Sequence, residues 1–521
     1  MKNLILKLIP GLMVLSILAI GLYASGVFAD NPENLLWESL LSILLVGYGF
    51  TIFFSIGILL LEKGDPVKTL SWIVIMLALP GLGIILYSFL GASFKEERIM
   101  SDNEYVEKQL ISNKKEVLEK CNLSEKVVAN DLLKNQHRLI VHKNIKTALN
   151  NPRALLSQNN EVQVLVDGPA TFEAIFRDLA TAKHHIHLEY FIWTDDELGQ
   201  KLKDLLIKKV QEKVVVRLLI DGLGSSALSN RYIHELLAAG IDVLEFRPVR
   251  LAILNSHSNF RNHRKIIIID GHIGFTGGIN VDGKYLAGDP HLGHWHDMHL
   301  RLEGDAVKGL QMNFLQDWAF LKGQQISDSQ FFPKTKINNQ NTVQIIGSGP
   351  DTEWDGIKQV YLNTLYTARD YVYMVTPYFI PNNSILNAMR TAAQSGVDIR
   401  LIIPAKGDSK IVQAATLSFA EEMLHCSVKV YQYQKGFIHS KLMIADDMIA
   451  TIGTANMDIR SFDQNLEINA VLYDADTLKE LKAQFEQDFK NSRELTLKDI
   501  KKRSFAFEVM QAGCRLLAPL L

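Results

Sequence analysis

One pattern of ionisable residues occurs twice in this chain, each time at the head of an apolar run. The segments HRKIIIIDG and HSKLMIADD begin at His263 and His439, and both fit H-x-K-x-x-x-x-D. A glycine and an asparagine then follow each histidine at the same spacing. The paired positions are His263 and His439, Lys265 and Lys441, Asp270 and Asp446, Gly277 and Gly453, and Asn280 and Asn456. Because a buried charge is costly unless it is paired, these groups must either satisfy one another or be delivered to a site.

The segments around the two motifs repeat as well. Three predicted strands of the first half, 162–169, 185–193 and 214–222, return in the second half as 343–350, 371–379 and 397–405. The likeness of the second pair rests on Tyr190–Phe191, which recurs as Tyr378–Phe379. Helices are predicted between the strands, over 171–182, 198–213 and 355–368. A nearly constant offset over several elements indicates a duplicated α/β domain.

Strand geometry gives the repeated histidine and lysine a shared direction. Side chains at positions i and i+2 of a strand point to the same face. We therefore expect His263 and Lys265 to project together while Arg264 points away, and the second copy to do the same. The apolar residues that follow should anchor each strand in a core. Asp270 lies at the far end of its strand, where we expect it to hold the turn or a neighbouring charge.

If the halves pack with these strands adjacent across a pseudo-twofold axis, two histidines and two lysines meet in one pocket. Asn280 and Asn456 would join them as neutral donors. Such a pocket suits a phosphodiester, because fixed cations and N–H donors stabilise the charge of a pentacoordinate transition state. One neutral histidine can attack phosphorus, and the other, when protonated, can donate to the leaving oxygen. The predicted catalytic residues are His263, Lys265, Asp270, His439, Lys441 and Asp446.

Two acidic residues are candidates for orienting the histidines. A carboxylate bonded to one ring nitrogen fixes the tautomer of an imidazole. Asp297 lies downstream of His263, and Glu467 lies downstream of His439. An ordinary surface carboxylate is the alternative for each. Together with the two asparagines, these acids form the predicted set of phosphate-binding or supporting residues.

Composition excludes some classes of protein. The 521 residues suffice for two or three domains. A formal net charge of −2 gives no support for a general nucleic-acid binder, which is usually strongly basic. The three cysteines (Cys121, Cys426 and Cys514) form no CxxC pair, which argues against a disulfide scaffold or a zinc cluster. The histidines of 291–299 also lack a cysteine or an HExxH context, so we expect no metal there. His185, His187 and Glu189 share one face of a predicted strand beside the active-site floor, where we expect substrate contact or core packing in place of a metal.

Three long stretches near the N-terminus, at about 8–29, 39–61 and 69–94, carry no charged residue. Each is long enough to cross the roughly 30 Å hydrocarbon core of a bilayer, so we expect a membrane anchor of two or three transmembrane helices. The first run also has the outline of a signal peptide, since Lys2 and Lys7 precede it and VFA lies just before Asp30. We favour an uncleaved membrane segment. The lysines and arginines around the runs leave open on which side of the membrane the rest of the chain lies.

The predicted organisation has five parts. They are the membrane anchor at 1–94, a charged helical connector at 95–160, the first α/β domain at 161–335, the second at 340–495, and an amphipathic tail at 496–521. The tail has a basic start followed by aromatic and aliphatic residues. We therefore expect it either to lie at a membrane interface or to pack on the catalytic domain.

The two motifs resemble the HKD motifs of the phospholipase D superfamily, and in particular those of the bacterial cardiolipin synthases. The likeness covers nearly the whole chain and is weakest before residue 40. The supporting segments are RNHRK (261–265), WHD (295–297), SGPD (348–351), TPYFIP (376–381), GFIHSK (436–441), GTANMDIRSF (453–462) and NLE (465–467). The hydrophobic segment LPGLGIILY (79–87) is similar to the membrane anchor of those synthases.

The resemblance implies a fold. It is an α/β fold of duplicated phospholipase D-like domains, each a mixed sheet flanked by helices, with a pseudo-twofold active site. N-terminal transmembrane helices would precede these domains. The implied location is the bacterial cell membrane, which the chain would cross more than once.

The resemblance also implies a reaction. A histidine attacks the phosphorus of one phosphatidylglycerol and glycerol leaves; a second phosphatidylglycerol then opens the phosphatidyl-histidine, giving cardiolipin. The superfamily often uses the first motif as nucleophile, which favours His263, with His439 as acid and then base. The duplication leaves the reverse assignment open. The expected partners are phosphatidylglycerol, as donor and acceptor, and the lipid bilayer. No nucleic acid, metal or other cofactor is expected.

Two other functions remain open at this point. A membrane-anchored phospholipase D or phosphodiesterase would use the same pocket with water as the acceptor. A scaffold protein could keep the fold without activity, although it would not need both complete motifs.

Overall fold

The computed structural model describes residues 139–247, 260–326, 328–350, 355–501 and 503–518. It also describes 66–78, 114–119 and 124–135, and the single positions 49, 53, 56, 57, 83, 87 and 112. The chain divides into two units, Met1–Ser101 with Leu251–Asn259, and Asp102–Arg250 with Phe260–Leu521. The first unit contains helix α1 (Pro66–Ala78). All elements named below belong to the second unit.

The first half of this unit forms a mixed seven-stranded sheet, which follows α2 (Glu125–Asn135), α3 (Leu139–Leu149) and β1 (Ala154–Ser157). Its elements are β2 (Asn160–Val166), α4 (Asp167–Ala180), β3 (His185–Tyr190), α5 (Glu197–Gln211), β4 (Val215–Asp221), α6 (Asn230–Ala238), β5 (Asp242–Phe246), β6 (Ile266–Ile269), β7 (Ile273–Gly277), α7 (Lys284–Ala287), β8 (Trp295–His296), β9 (Met298–Gly304) and α8 (Ala306–Lys322). The strand order is β2-β9-β7-β6-β3-β4-β5. Strands β3, β4 and β5 run parallel, and the other neighbours are antiparallel.

The second half forms a nine-stranded sheet. Its elements are β10 (Val343–Ser348), α9 (Gly356–Thr367), β11 (Tyr371–Val375), β12 (Phe379–Ile380), α10 (Asn383–Gln394), β13 (Asp398–Pro404), α11 (Lys410–Leu424), β14 (Lys429–Tyr433), β15 (Phe437–Ile438), β16 (Leu442–Ala445), β17 (Ile449–Gly453), β18 (Met457–Asp458), α12 (Ile459–Asp463), β19 (Glu467–Leu472), α13 (Ala475–Lys490), β20 (Ser492–Leu495), α14 (Leu497–Ile500) and α15 (Phe505–Leu516). The strand order is β1-β10-β19-β17-β16-β11-β13-β14-β20. The seven inner strands repeat the first sheet, and this repetition confirms the predicted duplication.

The strand register corrects one detail of the predicted repeat. Ile186 pairs with Ile269 in the first sheet, and Val372 pairs with Ala445 in the second. Ile269 and Ala445 hold the same place in their motifs, so Val372 is the equivalent of Ile186. The match of Tyr190–Phe191 with Tyr378–Phe379 is therefore wrong in register. After β11, residues that look alike in the two halves of the sequence therefore do not occupy equivalent positions.

The apolar residues of the motifs form the short strands β6 and β16. Each strand begins one residue after the motif lysine, so the histidine and lysine lie in the approach to the strand and not within it. Along β6, Ile266 and Ile268 face a core shared by both sheets, whereas Ile267 and Ile269 face the helices of the first half. All four isoleucines are buried. Burial of each contributes roughly 1.5–3 kcal/mol, which fixes the segment that carries the motif histidine.

The regions before the first sheet and after the last strand both pack on the second half. From the connector, α3 packs against α9, where Asn144 donates to Thr364. Strand β1 is an edge strand of the second sheet. At the C-terminus, α15 packs on α11, with an ion pair between Arg503 and Glu421.

No helix in the described part of the chain has both the length and the apolar character needed to span a bilayer. The predicted membrane segments 8–29 and 39–61 fall almost wholly outside the described residues. Of the third, 69–94, the structure describes the part within α1 and two further positions.

Asp270 and Asp446, the third members of the motifs, hold equivalent turns. Each has a left-handed backbone, with φ of 52° and 53°. The carboxylate of Asp446 accepts three backbone N–H bonds, from Arg369, Asp370 and Tyr371, at 2.8–2.9 Å. Asp270 accepts the equivalent three from residues 183–185. Both aspartates thus tie the end of the motif hairpin to the start of the neighbouring strand.

We expect Asp446→Ala to lower the free energy of unfolding by about 2–4 kcal/mol, because three N–H groups lose a charged acceptor. Asp270→Ala should cost less, since two of its three bonds lie at the exposed surface. Urea unfolding of the protein in detergent measures both changes. Glu197→Ala, in an exposed ion pair with Lys201, is the control and should leave the midpoint unchanged. Equal midpoints for Asp446→Ala and the control would contradict this role.

Candidate active site

Each motif histidine is held by backbone from the opposite half of the molecule. Asn262 forms a bridge with Leu466, whose carbonyl accepts the N–H of His263 at 2.9 Å. In the mirror arrangement, β15 pairs in parallel with β8, and the carbonyl of His296 accepts the N–H of His439 at 2.7 Å. Each half therefore pairs a short segment with the backbone of the other half, and this pairing brings the two motifs together.

The carboxylates are exchanged in the same way. Both oxygens of Glu467, on β19 of the second half, lie 3.0 Å from Nδ1 of His263. Asp297, between β8 and β9 of the first half, places Oδ2 at 2.7 Å from Nδ1 of His439. Asp297 and Glu467 are both fully buried. Both acids predicted from the sequence contact a motif histidine, but each contacts the histidine that lies in the other half of the chain.

The lysines lie beside the histidines. Lys265 Nζ donates to the carbonyl of His263 at 2.7 Å and lies 5.4 Å from the centre of the Phe191 ring. Lys441 Nζ lies 2.9 and 3.1 Å from the two ring nitrogens of His439. Because Nδ1 of each histidine faces a carboxylate, Nε2 is the nitrogen left for chemistry.

The two asparagines take supporting positions. Asn280 Oδ1 accepts the N–H of Ile192, and its amide donates to the hydroxyl of Tyr285. That hydroxyl lies 3.2 Å from Nδ1 of His439. Asn456 is buried, and its Oδ1 has no hydrogen-bond partner among the described residues. An amide oxygen left open in this way can accept a hydrogen bond from a substrate hydroxyl.

Sequence reasoning missed three residues of the site. Tyr285 contacts His439 as described, and Thr454 donates from its hydroxyl to Glu467 at 2.5 Å. Arg264 points away from the pocket, as predicted, but is fully buried and bridges Asp317 and the carbonyl of Glu467. Thr454 was within reach of sequence reasoning, because it stands in the GTAN segment where the first half has GGIN. The contacts of Tyr285 and Arg264 depend on the packing of the two halves, which the pattern does not reveal.

In the earlier histidine segment, 184–187, His185 and His187 are buried in the core, whereas His184 is exposed. His185 and His187 both bond to the side chain of Gln311 on α8, and the ring of His187 stacks on Phe314. Glu189 accepts a hydrogen bond from Asn262. These groups support the strand next to the site.

Burial keeps both motif histidines neutral. Burial lowers the pKa of His263 to about 4, with Glu467 opposing the shift and Lys265 adding to it. Burial and the neighbouring Lys441 hold the pKa of His439 well below its usual range. Burial also lowers the pKa of Lys265 to about 7 and that of Lys441 to about 8. A bound phosphodiester would restore their charge, so the site is suited to an anion.

The two carboxylates differ in charge state. Burial raises the pKa of Asp297 to about 7. Burial alone would raise the pKa of Glu467 too, but its contacts with His263, Lys265 and Thr454 outweigh burial and lower the pKa. Near neutral pH Glu467 is ionised, whereas Asp297 holds a proton part of the time. The pseudo-symmetric site is therefore electrostatically asymmetric.

Comparison with known proteins agrees with this geometry. The family model described as "Cardiolipin synthase, PLD-like domain" matches residues 175–318 and 361–489. Cardiolipin synthase 2 of Bacillus anthracis is 41% identical over 471 residues, 90% of each chain. The chain belongs to the cardiolipin synthase family. The cardiolipin synthase of Halalkalibacterium halodurans is 38% identical over 513 residues, 98% of this chain and 99% of that protein.

The family confirms the predicted class of enzyme. Cardiolipin synthases are transferases of phospholipid biosynthesis that move phosphatidyl groups, and their substrates are phospholipids. Among solved structures, the phosphatidylserine synthase of Haemophilus influenzae has a TM-score of 0.55 at 14% identity, covering 69% of this chain and 95% of that chain. That likeness shows the shared fold of duplicated α/β domains.

Replacement of the acids tests their pairing across the halves. We expect Glu467→Gln to reduce kcat/KM by about 10²–10⁴-fold, since an amide cannot stabilise charge on His263 or fix its tautomer in the same way. Asp297→Asn should have an effect of the same order through His439. Steady-state assays with mixed micelles measure both. A double variant that loses no more than either single variant would show that the two pairs act as one unit.

We also predict a falling alkaline limb in the pH profile of kcat/KM, with an apparent pKa near 7–8. Burial lowers the pKa of both lysines, so their charge is lost at a lower pH than usual and phosphate binding weakens as pH rises. Lys265→Arg should move this limb to higher pH, because a guanidinium stays protonated. An alkaline limb near pH 10 in the unmodified enzyme would contradict the prediction.

Proposed function

We propose that this chain makes cardiolipin and glycerol from two molecules of phosphatidylglycerol through a phosphatidyl-histidine intermediate. The observation that carries the proposal is the pair of buried, neutral histidines, each held at Nδ1 by a carboxylate from the other half, with two lysines beside them. That arrangement supplies a nucleophile, an acid and an anion site. One phosphodiester replaces another, so no nucleotide is needed.

His263 is the nucleophile in this proposal. Its partner Glu467 is ionised and accepts a hydrogen bond from Nδ1–H of His263, which leaves the lone pair of Nε2 free to attack phosphorus. Thr454 supports that state by donating to Glu467. The equivalent position in the first half is Gly278, where an added Cβ would lie 2.1 Å from Oδ1 of Asp297. A side chain at that position would have to displace the Asp297 carboxylate, so the first half has no counterpart of the Thr454 hydroxyl, and burial keeps the pKa of Asp297 raised.

His439 and Asp297 together transfer the proton to and from the glycerol and lipid hydroxyl oxygens. In the first step, Nε2 of His263 bonds to phosphorus and the bond to the glycerol oxygen breaks. That oxygen takes a proton from Nε2 of His439, while Asp297 gives its proton to Nδ1. In the second step, the hydroxyl oxygen of another phosphatidylglycerol bonds to phosphorus and the bond between phosphorus and Nε2 of His263 breaks. The hydroxyl proton goes to Nε2 of His439, while Nδ1 of His439 returns its proton to Asp297. Lys265 and Lys441 balance the charge of the phosphoryl oxygens throughout.

The pocket walls favour a lipid alcohol over water. The rings of Phe191, Tyr285, Trp295, Tyr378 and Phe437 lie within 6.4 Å of a motif histidine, measured between ring centres. Such walls reduce the access of water to the phosphatidyl-histidine and so limit its hydrolysis to phosphatidate.

The substrates require contact with the bilayer of a bacterial cell membrane. The three apolar N-terminal runs support a multi-pass anchor. Helix α15 supports a second contact, because its outer side exposes 79% of Phe505 and 84% of Leu516 while its inner side packs on α11. Its two predicted roles, interfacial helix and packed helix, are therefore compatible.

The decisive experiment uses the purified full-length protein with phosphatidylglycerol in detergent micelles and no nucleotide. Cardiolipin and glycerol should appear in equal amounts. Phosphatidate without cardiolipin would mean that water is the acceptor and that the protein is a phospholipase D. A third outcome would exclude both the synthase and the phospholipase D. The protein would show no turnover in active membranes, and cells with His263→Ala or His439→Ala would be indistinguishable from wild type.

Mass spectrometry of peptides that are prepared without exposure to acid tests the assignment of the nucleophile. During turnover, we expect a phosphatidyl mass on the peptide that contains His263. His439→Asn should slow both the appearance and the loss of this label, because the first step lacks its acid and the second lacks its base. Label on the His439 peptide of the unmodified enzyme would reverse the assignment.

Thr454→Val tests the asymmetry. Loss of the hydrogen bond to an ionised carboxylate costs about 1.5–3 kcal/mol, so we expect kcat/KM to fall about 10–100-fold. We also expect the acid side of the pH profile of kcat/KM to move to higher pH, because Glu467 would then be protonated more easily. Thr454→Ser keeps the hydroxyl and should restore both. If valine and serine behave alike, the hydroxyl does not control Glu467.

A further inference from the structure

We propose that Asp167, His294 and His296 form a binding site for a divalent transition metal of the zinc class. The site lies on the opposite side of strand β8 from His439. Asp167 comes from the start of α4, far from His294 in the sequence, so only the folded chain assembles the set. Sequence reasoning considered the histidines of 291–299 alone and expected no metal, because the carboxylate that completes the group is remote in sequence.

The three side chains converge on a small volume. His294 Nε2 lies 2.8 Å from one oxygen of Asp167, and His296 Nδ1 lies 2.6 Å from the other. One donor atom from each of the three residues lies within 4.8 Å of the others. Two imidazoles and one carboxylate are a common ligand set for zinc, with further positions left for water. A bound ion would replace the proton on each of the two imidazole nitrogens.

Alternation along one short segment separates this group from the active site. In HWHD, Trp295 and Asp297 contact His439, the first with ring centres 5.7 Å apart and the second at Nδ1. His294 and His296 point the other way, to Asp167. Period-two alternation is the normal behaviour of a strand. The same segment therefore presents catalytic support on one face and the proposed metal ligands on the other.

The surroundings have features of a built metal site. His296 Nε2 lies 3.2 Å from Oδ1 of Asp488, a buried carboxylate on α13. A metal-bound histidine usually gives its second nitrogen to such a group, which fixes the ring. Asp167 also has a left-handed backbone, with φ of 66°, although it is not a glycine. Residues held in this conformation cluster at functional sites.

A binding site also needs access, and the triad has it. The side chain of His294 is 49% exposed. A cavity of about 530 Å³ borders all three residues and includes the side chains of Gln484 and Asn491. Water or these amide oxygens can fill the remaining coordination positions. An ion can therefore enter without unfolding the chain.

A metal here would stiffen the strand that holds His439. The carbonyls of His294 and His296 accept the N–H groups of Phe437 and His439 at 2.8 and 2.7 Å. The two proposed ligands are thus the two residues whose backbone positions the second motif. The ion would act on catalysis by fixing that strand, and it would take no part in the phosphoryl transfer.

Metal binding can be measured directly on the untagged full-length protein in detergent after treatment with a chelator. After the protein is incubated with Zn²⁺ and desalted, we expect elemental analysis to find one Zn²⁺ per chain. Co²⁺ should give visible absorption bands typical of nitrogen and oxygen ligands, and Zn²⁺ should raise the melting temperature. His294→Ala and Asp167→Asn should each weaken Zn²⁺ binding at least tenfold. His294 is exposed, and asparagine tolerates a left-handed backbone, so both variants should fold.

His291→Ala is the matched control, since His291 is an exposed histidine of the same loop whose side chain is outside the triad. It should bind Zn²⁺ like the unmodified protein. Equal Zn²⁺ content in the unmodified protein and His294→Ala would overturn the proposal and leave the triad as an ion pair. Loss of binding in His291→Ala alone would overturn it too, by placing the ion elsewhere in the loop.

Discussion

The exchange of histidine partners between the two halves is the interaction on which the rest of the site depends. Neither half contains a complete catalytic pair. His263 needs Glu467 from the second half, and His439 needs Asp297 from the first. The backbone follows the same rule, since Leu466 and His296 hold the opposite histidines. Packing of the shared core between the sheets therefore has a chemical consequence as well as a structural one, because it completes both pairs at once.

Buried polar side chains set the precision of that packing. Arg264, the residue between the first histidine and lysine, lies in an ion pair with Asp317 and also donates to carbonyls of Glu467 and Ser348 in the second half. A guanidinium buried in this way is tolerated only when its donors are satisfied. The relative position of the halves is thus fixed by directional bonds in addition to apolar contact, and the histidine–carboxylate distances follow from it.

Much of this could be predicted from the sequence. The spacing of the motifs and the repeated strands indicated the duplication and the fold class. His263 and Lys265 do lie together, but they precede β6 and are not part of it, so strand period is not the cause. The acids Asp297 and Glu467 were found because each motif needs a carboxylate. Their exchange was not predictable, since two histidines and two acids allow either pairing and nothing local distinguishes them. The true register of β11 was also hidden, because the Tyr-Phe pair recurs nearby at a position that is not equivalent.

The contacts of Tyr285 and Asp167 could not be predicted for a related reason. Each acts on a group that is remote in the sequence, His439 and His294 respectively. Asp167 stands in a repeated segment, but its counterpart in the second half is Ser348, so the repeat does not point to its role. Thr454 is different, because the contrast of GTAN with GGIN was visible in the sequence. Its meaning needed the position of Glu467.

That contrast has a consequence for how such a chain can change. A protein made of two identical halves would present two equal pairs, and either histidine could serve as the nucleophile. Here a side chain at position 278 would have to displace the carboxylate of Asp297, so adding a hydroxyl there like that of Thr454 would disturb the acid it is meant to support. Exchanging the roles of the two histidines would require coordinated changes in both halves. Under the proposed assignment, reversing the roles of the two histidines therefore requires more than one substitution.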